Sequence, residues 1–352
     1  MEQLNRLLAE KQQGEDEINK LTNFPSLYAG KFVQPEPTFL LYRGDPTQKR
    51  EPVNPGAIQG LGPALEQSAE TPEQQRRLAL ARWLIDPKNP LTARVMVNRI
   101  WQHHFGHGIV DTPSDFGLNG ARPTHPELLD WLACAFVSQG WDIKAVHRLI
   151  VLSRTYRQSS RSNTKASAVD ADGRLLWRFP PRRLEAEPLR DSILSVSGNL
   201  DLRMGGPGFD LFEPNGNYVK VYIPKQRFGP AEWRRMVYQS KPRMRLDDTF
   251  GAFDCPDGGQ IAPKRTSSTT PLQALSLLNS PFILEQSAIF AKRLEKEAGL
   301  GPDEQVRRAF RLAFNRDPSP AEAETALNVI SEHGLVPFCR ALFNANEFIY
   351  MF

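Results

Sequence analysis

Five times along this sequence a residue suited to helix capping is followed at once by proline: Thr71-Pro72, Asn89-Pro90, Thr270-Pro271, Ser280-Pro281 and Ser319-Pro320. The capping oxygen accepts from an orphan amide at a helix start, and proline at the first helical position loses nothing because its missing N–H has no partner there. Thr71 with Gln74, Thr124 with Glu127, Thr270 with Gln273 and Ser319 with Glu322 also have the spacing of a capping box. This density of start signals predicts a mainly α fold: a multi-helix, bundle-like domain with a small β or irregular insertion.

The organisation follows from where the periodicity holds. Residues 1–37 read as a helical arm and linker, with Leu4, Leu7, Leu8 and Ile18 as the apolar anchors of a polar helix over Met1–Leu21. Residues 38–352 read as the main helical domain. Between Asn23 and Ala69 the chain is rich in Pro and Gly, with one strand expected at Thr38–Tyr42. Helices are predicted at Pro72–Ile85, Pro90–Phe105, His125–Gln139, Ile143–Arg157 and Arg182–Ser197, where Pro188 kinks the helix or sets its start near Glu187. Periodicity fails over the irregular or β segment 198–263, where Tyr218–Ile223 alternates and Arg235–Gln239 could pair with it. Helices return over 270–352: Pro271–Leu278, Pro281–Lys296, Pro302–Phe314, Pro320–His333 and Leu335–Ile349.

Composition mainly excludes. The apolar runs fall far short of the roughly 20 residues of a membrane span, and Met1-Glu2-Gln3-Leu4 has no basic region before an apolar one, so the expectation is a soluble chain without an export signal. A net charge of +4 in 352 residues is too small to argue for nucleic acid. Cys134, Cys255 and Cys339 form no C-x-x-C or C-x-x-C-H, so no disulfide framework, zinc ribbon or haem attachment is expected.

The densest polar cluster runs from Asn98 to Gly108. His103 and His107 have the spacing of two imidazoles on one helix face, but Gly106 interrupts the helix, and no bound metal is expected; the alternative is that His103 and His104 cap the last carbonyls. Arg94, Asn98, Trp101 and Phe105 share a helix face, which reads either as ligand-facing or as a buried network closed by Asp111, Asp115 or Asp130. From Lys144 to Arg190 eleven cations stand against four acids, with Tyr156, Trp177 and Phe179 interleaved: a polyanion surface or a solvated face. Glu187 and Asp191 are four apart and could work as acid and base, or be neutralised by neighbouring arginines. The hydroxyl run Thr266–Thr270 before a helix start is either a weak anion site or a capping loop.

The runs Leu91–Gly106, Thr112–Gly117 and Thr124–Leu132, with Trp141, His147–Ile150, Ser153–Ser159, Arg182–Glu187, Thr270–Leu275 and Leu278-Asn279, resemble the planctomycete-type domain of unknown function 1553 over most of the chain. The resemblance carries no activity. Its members commonly follow a companion domain of unknown function 1549 and often a c-type cytochrome domain, in exported proteins of polysaccharide-degrading bacteria. It implies an extracytoplasmic setting, a companion and a cytochrome as partners, haem c on a separate domain and no cofactor in this chain. Met1 to about Gly30 looks like the end of the companion. Pro188 departs from the family helix.

The motifs are expected to converge on one concave site, with Asn98, His103, His104, Asp115 and Glu185 as the catalytic set and Arg94, Trp101, Tyr156, Arg157, Arg182 and Arg183 holding substrate. The leading expectation is the substrate-facing part of a cytochrome-linked oxidoreductase in a polysaccharide-processing system. A non-enzymatic module binding a polyanionic glycan is the alternative, and a carboxylate-dependent hydrolase the third. Converging polar groups in one pocket favour an enzyme; polar groups spread over an open face favour a binding module.

Overall fold

The computed structural model describes residues 2–22, 29–58, 60–213, 221–243, 245–247, 249–256 and 258–352, which form two compact units, Met1–Thr92 and Ala93–Phe352. Mainly α architecture holds among the described residues: helices dominate, and the strands amount to two small two-stranded sheets.

In the first unit, α1 (Glu2–Thr22) keeps Leu4, Leu7, Leu8 and Ile18 exposed. The expected strand, β1 (Thr38–Leu41), pairs antiparallel with a second, β2 (Lys49–Val53). The sequence Lys-Arg-Glu-Pro-Val hides β2 because all five residues are exposed and nothing alternates. Helix α2 (Glu73–Leu84) begins after Pro72 without a side-chain cap, so the Thr71 box is not made; Arg76 bonds the Thr71 carbonyl at 2.7 Å instead. Asn89 behaves as expected, its Oδ1 accepting from the amides of Leu91 (3.0 Å) and Thr92 (3.4 Å).

The second unit has two apolar cores. The first is built by α3 (Thr92–Phe105), α4 (Pro126–Ser138) and α5 (Ile143–Leu152), around Val97, Trp101, Phe105, Leu132, Phe136 and Ile150. Asp142 caps α5 through the amides of Lys144 and Ala145. The helix stops at Leu152 rather than Arg157, because the Ser153 hydroxyl donates to the Ile150 carbonyl and accepts the Tyr156 amide, which rolls the chain into a turn. Thr124 does not cap α4: its amide and hydroxyl are directed at the Ile109 carbonyl, and His125 takes the cap position. A short α6 (Thr164–Val169), capped by Asn163, was not expected.

The second core lies among α7 (Ala186–Ser197), α8 (Pro271–Asn279), α9 (Pro281–Ala298), α10 (Pro302–Phe314), α11 (Pro320–His333), α12 (Leu335–Phe343) and α13 (Asn346–Ile349). The capping boxes of Thr270 and Ser319 are both made, and Ser280 Oγ accepts from Ile283. In α7, Pro188 is the third residue, where its missing amide costs no intrahelical bond.

Strands β3 (Arg182–Arg183) and β4 (Tyr350–Met351) pair antiparallel between the cores, Arg182 opposite Met351 and Arg183 opposite Tyr350. Opposed residues share a sheet face and neighbours alternate. Accordingly Met351 packs on the first core and Tyr350 on the second.

The irregular segment is not the expected hairpin. Tyr218–Lys220 lie outside the described residues, and Val221–Ile223 are not in a strand. Met236–Tyr238 form a 3-10 turn whose flanks bridge elsewhere, Arg234 to Asp201 and Gln239 to Phe209. Charge organises this stretch: the buried Arg234 guanidinium binds the carbonyls of Arg203 (3.1 Å), Gly205 (2.6 Å) and Pro207 (2.5 Å).

Candidate functional site

Gly106 ends α3 with φ +83°, so His107 leaves the helix face that carries His103. Asn98, fully buried, then pins the returning chain: its Oδ1 accepts the Val110 amide at 2.8 Å and its Nδ2 donates to the Val110 carbonyl at 2.9 Å. A side chain on Gly108 would meet the Asn98 amide and the Val110 carbonyl within 3 Å, so only glycine fits beneath this bridge. Both ends of Asn98 are spent on backbone, which gives it a structural place. Trp101 is likewise in the core, stacked on Phe105 at 4.3 Å between centroids.

The expected network joining Arg94, Asn98 and an acid does not form as one unit. Arg94 Nε does bond Asp130, one of the expected acids, at 2.7 Å with a third of its side chain exposed, while both ends of Asn98 go to Val110. Asp111 instead gathers His107 (3.1 Å), Lys264 (2.7 Å) and Arg174 (3.3 Å). Burial works against its charge, but these donors hold the carboxyl below its ordinary range. Asp115 is exposed and accepts the Gly117 amide at 2.8 Å, an Asx turn that shapes its own loop. His103 is exposed at the end of α3, and Arg157 is exposed in the turn after α5.

Three of the expected residues do meet. His104, Tyr156 and Arg182 come together beside Gly106, joined by His147 of α5, which the sequence offers only as part of a motif. His104 Nε2 and His147 Nδ1 are 2.7 Å apart, in a single hydrogen bond. The Tyr156 ring stands edge-on to His104, with centroids 5.5 Å apart. The stem of Arg182 passes over Gly106, its Cδ 3.7 Å from where a Cβ would be, and its buried Nε has no hydrogen-bond partner. Burial lowers the affinity of His104 for a proton, and His147, Arg182 and His103 reinforce this, down to a pKa of about 4. Burial also lowers the Arg182 pKa, while Glu185 and Tyr156 oppose the shift. Among the described residues no carboxylate lies within ion-pair distance of His104, His147 or Arg182.

Arg183 points the other way. It lies over the Phe253 ring and pairs with Asp254 at 2.6 Å, and Asp254, held at φ +58°, also accepts the amide (2.9 Å) and hydroxyl (2.8 Å) of Ser268. Glu185 pairs with Arg265 at 2.8 Å. The same Arg265 grips Glu187 through two bonds of 2.6 and 3.0 Å, with Lys241 at 2.8 Å. Glu187 and Asp191 are therefore not a coupled pair: Asp191 serves Arg235 Nε (3.2 Å) and the Met236 amide (2.8 Å). Among the described residues no three His, Cys, Asp or Glu side chains gather as a metal-sized group.

The basic stretch divides the same way. Arg174 and Arg183 are ion-paired and Arg190 is fully buried, whereas Lys144, Arg148, Arg154, Arg157, Arg161 and Lys165 are exposed. Lys144 and Arg148 are one turn apart on α5, and Arg154 and Arg157 are exposed in the turn that follows. No carboxylate of the described residues pairs with these six side chains.

A family model described as "PSD1: Protein of unknown function (DUF1553)" matches residues 76–330, most of the chain, and the protein belongs to that family. No curated protein and no solved structure matches it.

Proposed function

We propose that the second unit is a non-enzymatic module that binds an acidic polysaccharide. The observation that carries this reading is the run of exposed, unpaired cations from Lys144 to Lys165 beside the unpaired Arg182. A guanidinium without a carboxylate keeps its fork of donors for an anion, and sulfate or carboxylate groups on a glycan fit that fork in pairs. The acids that a hydrolase or proton-transfer site would need are occupied instead, Glu185 and Glu187 by Arg265 and Asp111 by Lys264. Of the other expected catalytic residues only His104 meets expected substrate-holding residues, Tyr156 and Arg182, whereas Asn98 is buried against Val110 and Asp115 and His103 are exposed, which favours a binding face over a catalytic pocket. Within this reading the setting is extracytoplasmic, with the companion and cytochrome domains of the family supplying any chemistry.

The test compares a sulfated dextran oligosaccharide, a uronate oligosaccharide and a neutral glucan by calorimetry. The acidic ligands should bind and the neutral one should not. Removing four guanidiniums together, in Arg148→Ala, Arg154→Ala, Arg157→Ala and Arg161→Ala, should weaken binding ~30-fold, since exposed charge pairs contribute ~0.5 kcal/mol each. Equal affinity for the neutral glucan, or an unaffected quadruple variant, would overturn the proposal.

A further inference from the structure

Arg182, His104, His147 and Tyr156, all half-buried, stand together where cationic and neutral donors meet without an acid in contact. The charged and titratable groups acting on His104 are His103 from its own helix, His147 from α5 and Arg182 from β3, with the Tyr156 ring edge-on to it from the turn after α5; Tyr156 and Glu185 act on Arg182, and Glu185 is itself paired with Arg265. In the neutral pair one imidazole N–H donates to the other ring across 2.7 Å, which leaves each ring its second nitrogen. One further proton can enter without breaking that bond, because an imidazolium still donates to a neutral imidazole. On His104 its entry is opposed first by burial and then by His147, Arg182 and His103.

Resting on the glycan-binding reading above, we propose that capture of a sulfate or carboxylate group at Arg182 is coupled to uptake of one proton by the His104–His147 pair. An anion on Arg182 cancels one of the charges that disfavour a proton on His104, so it favours protonation there; by reciprocity, protonated His104 holds the anion more tightly. Acidification then strengthens binding, and neutral pH releases the glycan. The coupling adds no bond and uses no other reactant: one proton moves from solvent to an imidazole nitrogen as the anion docks.

Sulfated dextran is the suitable probe because its charge is constant across the range. Titration calorimetry at pH 5 in two buffers of different ionisation enthalpy should show proton uptake on binding, and the Kd should tighten by ~10-fold between pH 7.5 and pH 5, within the limit of tenfold per pH unit for one linked proton. For His104→Gln and His147→Gln, proton uptake should vanish and binding at pH 5 should be no tighter than at pH 7.5. Wild-type binding that is independent of pH would overturn the coupling while leaving the glycan reading intact. Proton uptake retained in both variants would overturn it too, and absence of binding at every pH would overturn both.

Discussion

Replacing Arg190 with alanine is expected to cost about 4 kcal/mol, enough to unfold much of the purified protein at 37 °C. The side chain is fully buried, and its guanidinium lies between the rings of Phe209 and Phe282, 4.9 and 5.1 Å from their centroids. It donates to the Arg234 carbonyl at 2.9 Å and to the Glu232 carbonyl. Arg234 in turn ties down the carbonyls of Arg203, Gly205 and Pro207, so one arginine on α7 anchors the segment that has no regular structure of its own. Burial pulls the Arg190 pKa down to about 10, while Asp191, Asp247 and Glu232 oppose the shift; it remains charged at neutral pH. Alanine leaves two carbonyls without donors and a cavity between two rings, both costly. Arg190→Lys should rescue little, since an ammonium lacks the fork that spans both acceptors. Urea unfolding of the two variants measures this; a loss below about 1 kcal/mol in Arg190→Ala would show that the segment is held by other contacts.

The second large effect is expected at Glu187. Burial works against its charge, but hydrogen bonds from Arg265 and Lys241 outweigh it and hold the carboxyl down to about 2. The folded pKa is below the ordinary value of 4.5, so the stability that Glu187 contributes is complete above pH 4.5 and is lost as pH falls from there towards 2. Glu187→Gln should therefore lower stability by about 2 kcal/mol at pH 7, because two cations lose their common partner in a half-buried place. The gap between variant and wild type should close as the pH approaches 2. A gap that stays constant from pH 7 to pH 2.5 in chemical denaturation would show that the carboxylate charge is not what stabilises this junction.

What the sequence makes legible here is local. The bounds of α10 and α11 are as expected, since proline after a cap residue, a capping box and Gly334 are all signals within a few residues of the helix ends. Where a cap residue has a better long-range partner, the local rule fails, as at Thr124 with the Ile109 carbonyl. The same division runs through the site. Motifs at 91–106, 153–159 and 182–187 do bring His104, Tyr156 and Arg182 together, yet Asn98 faces inward and Arg183 faces the other core. Alternation along a two-residue strand decides that last point, and its register depends on β4 at the far end of the chain. The cations that neutralise Glu187 lie 54 and 78 residues away, so no spacing rule could pair them with it. Arg190 looks like one more charge in a basic run, and only its rings and carbonyl partners distinguish it from the exposed arginines.

The most direct test of the glycan-binding account is to locate the ligand on the protein. In a backbone NMR titration with a sulfated dextran oligosaccharide, shift changes should cluster at residues 144–161 of α5 and its turn, and at His104 and Arg182. Changes centred on the second core, on the first unit, or absent at saturating ligand would contradict it.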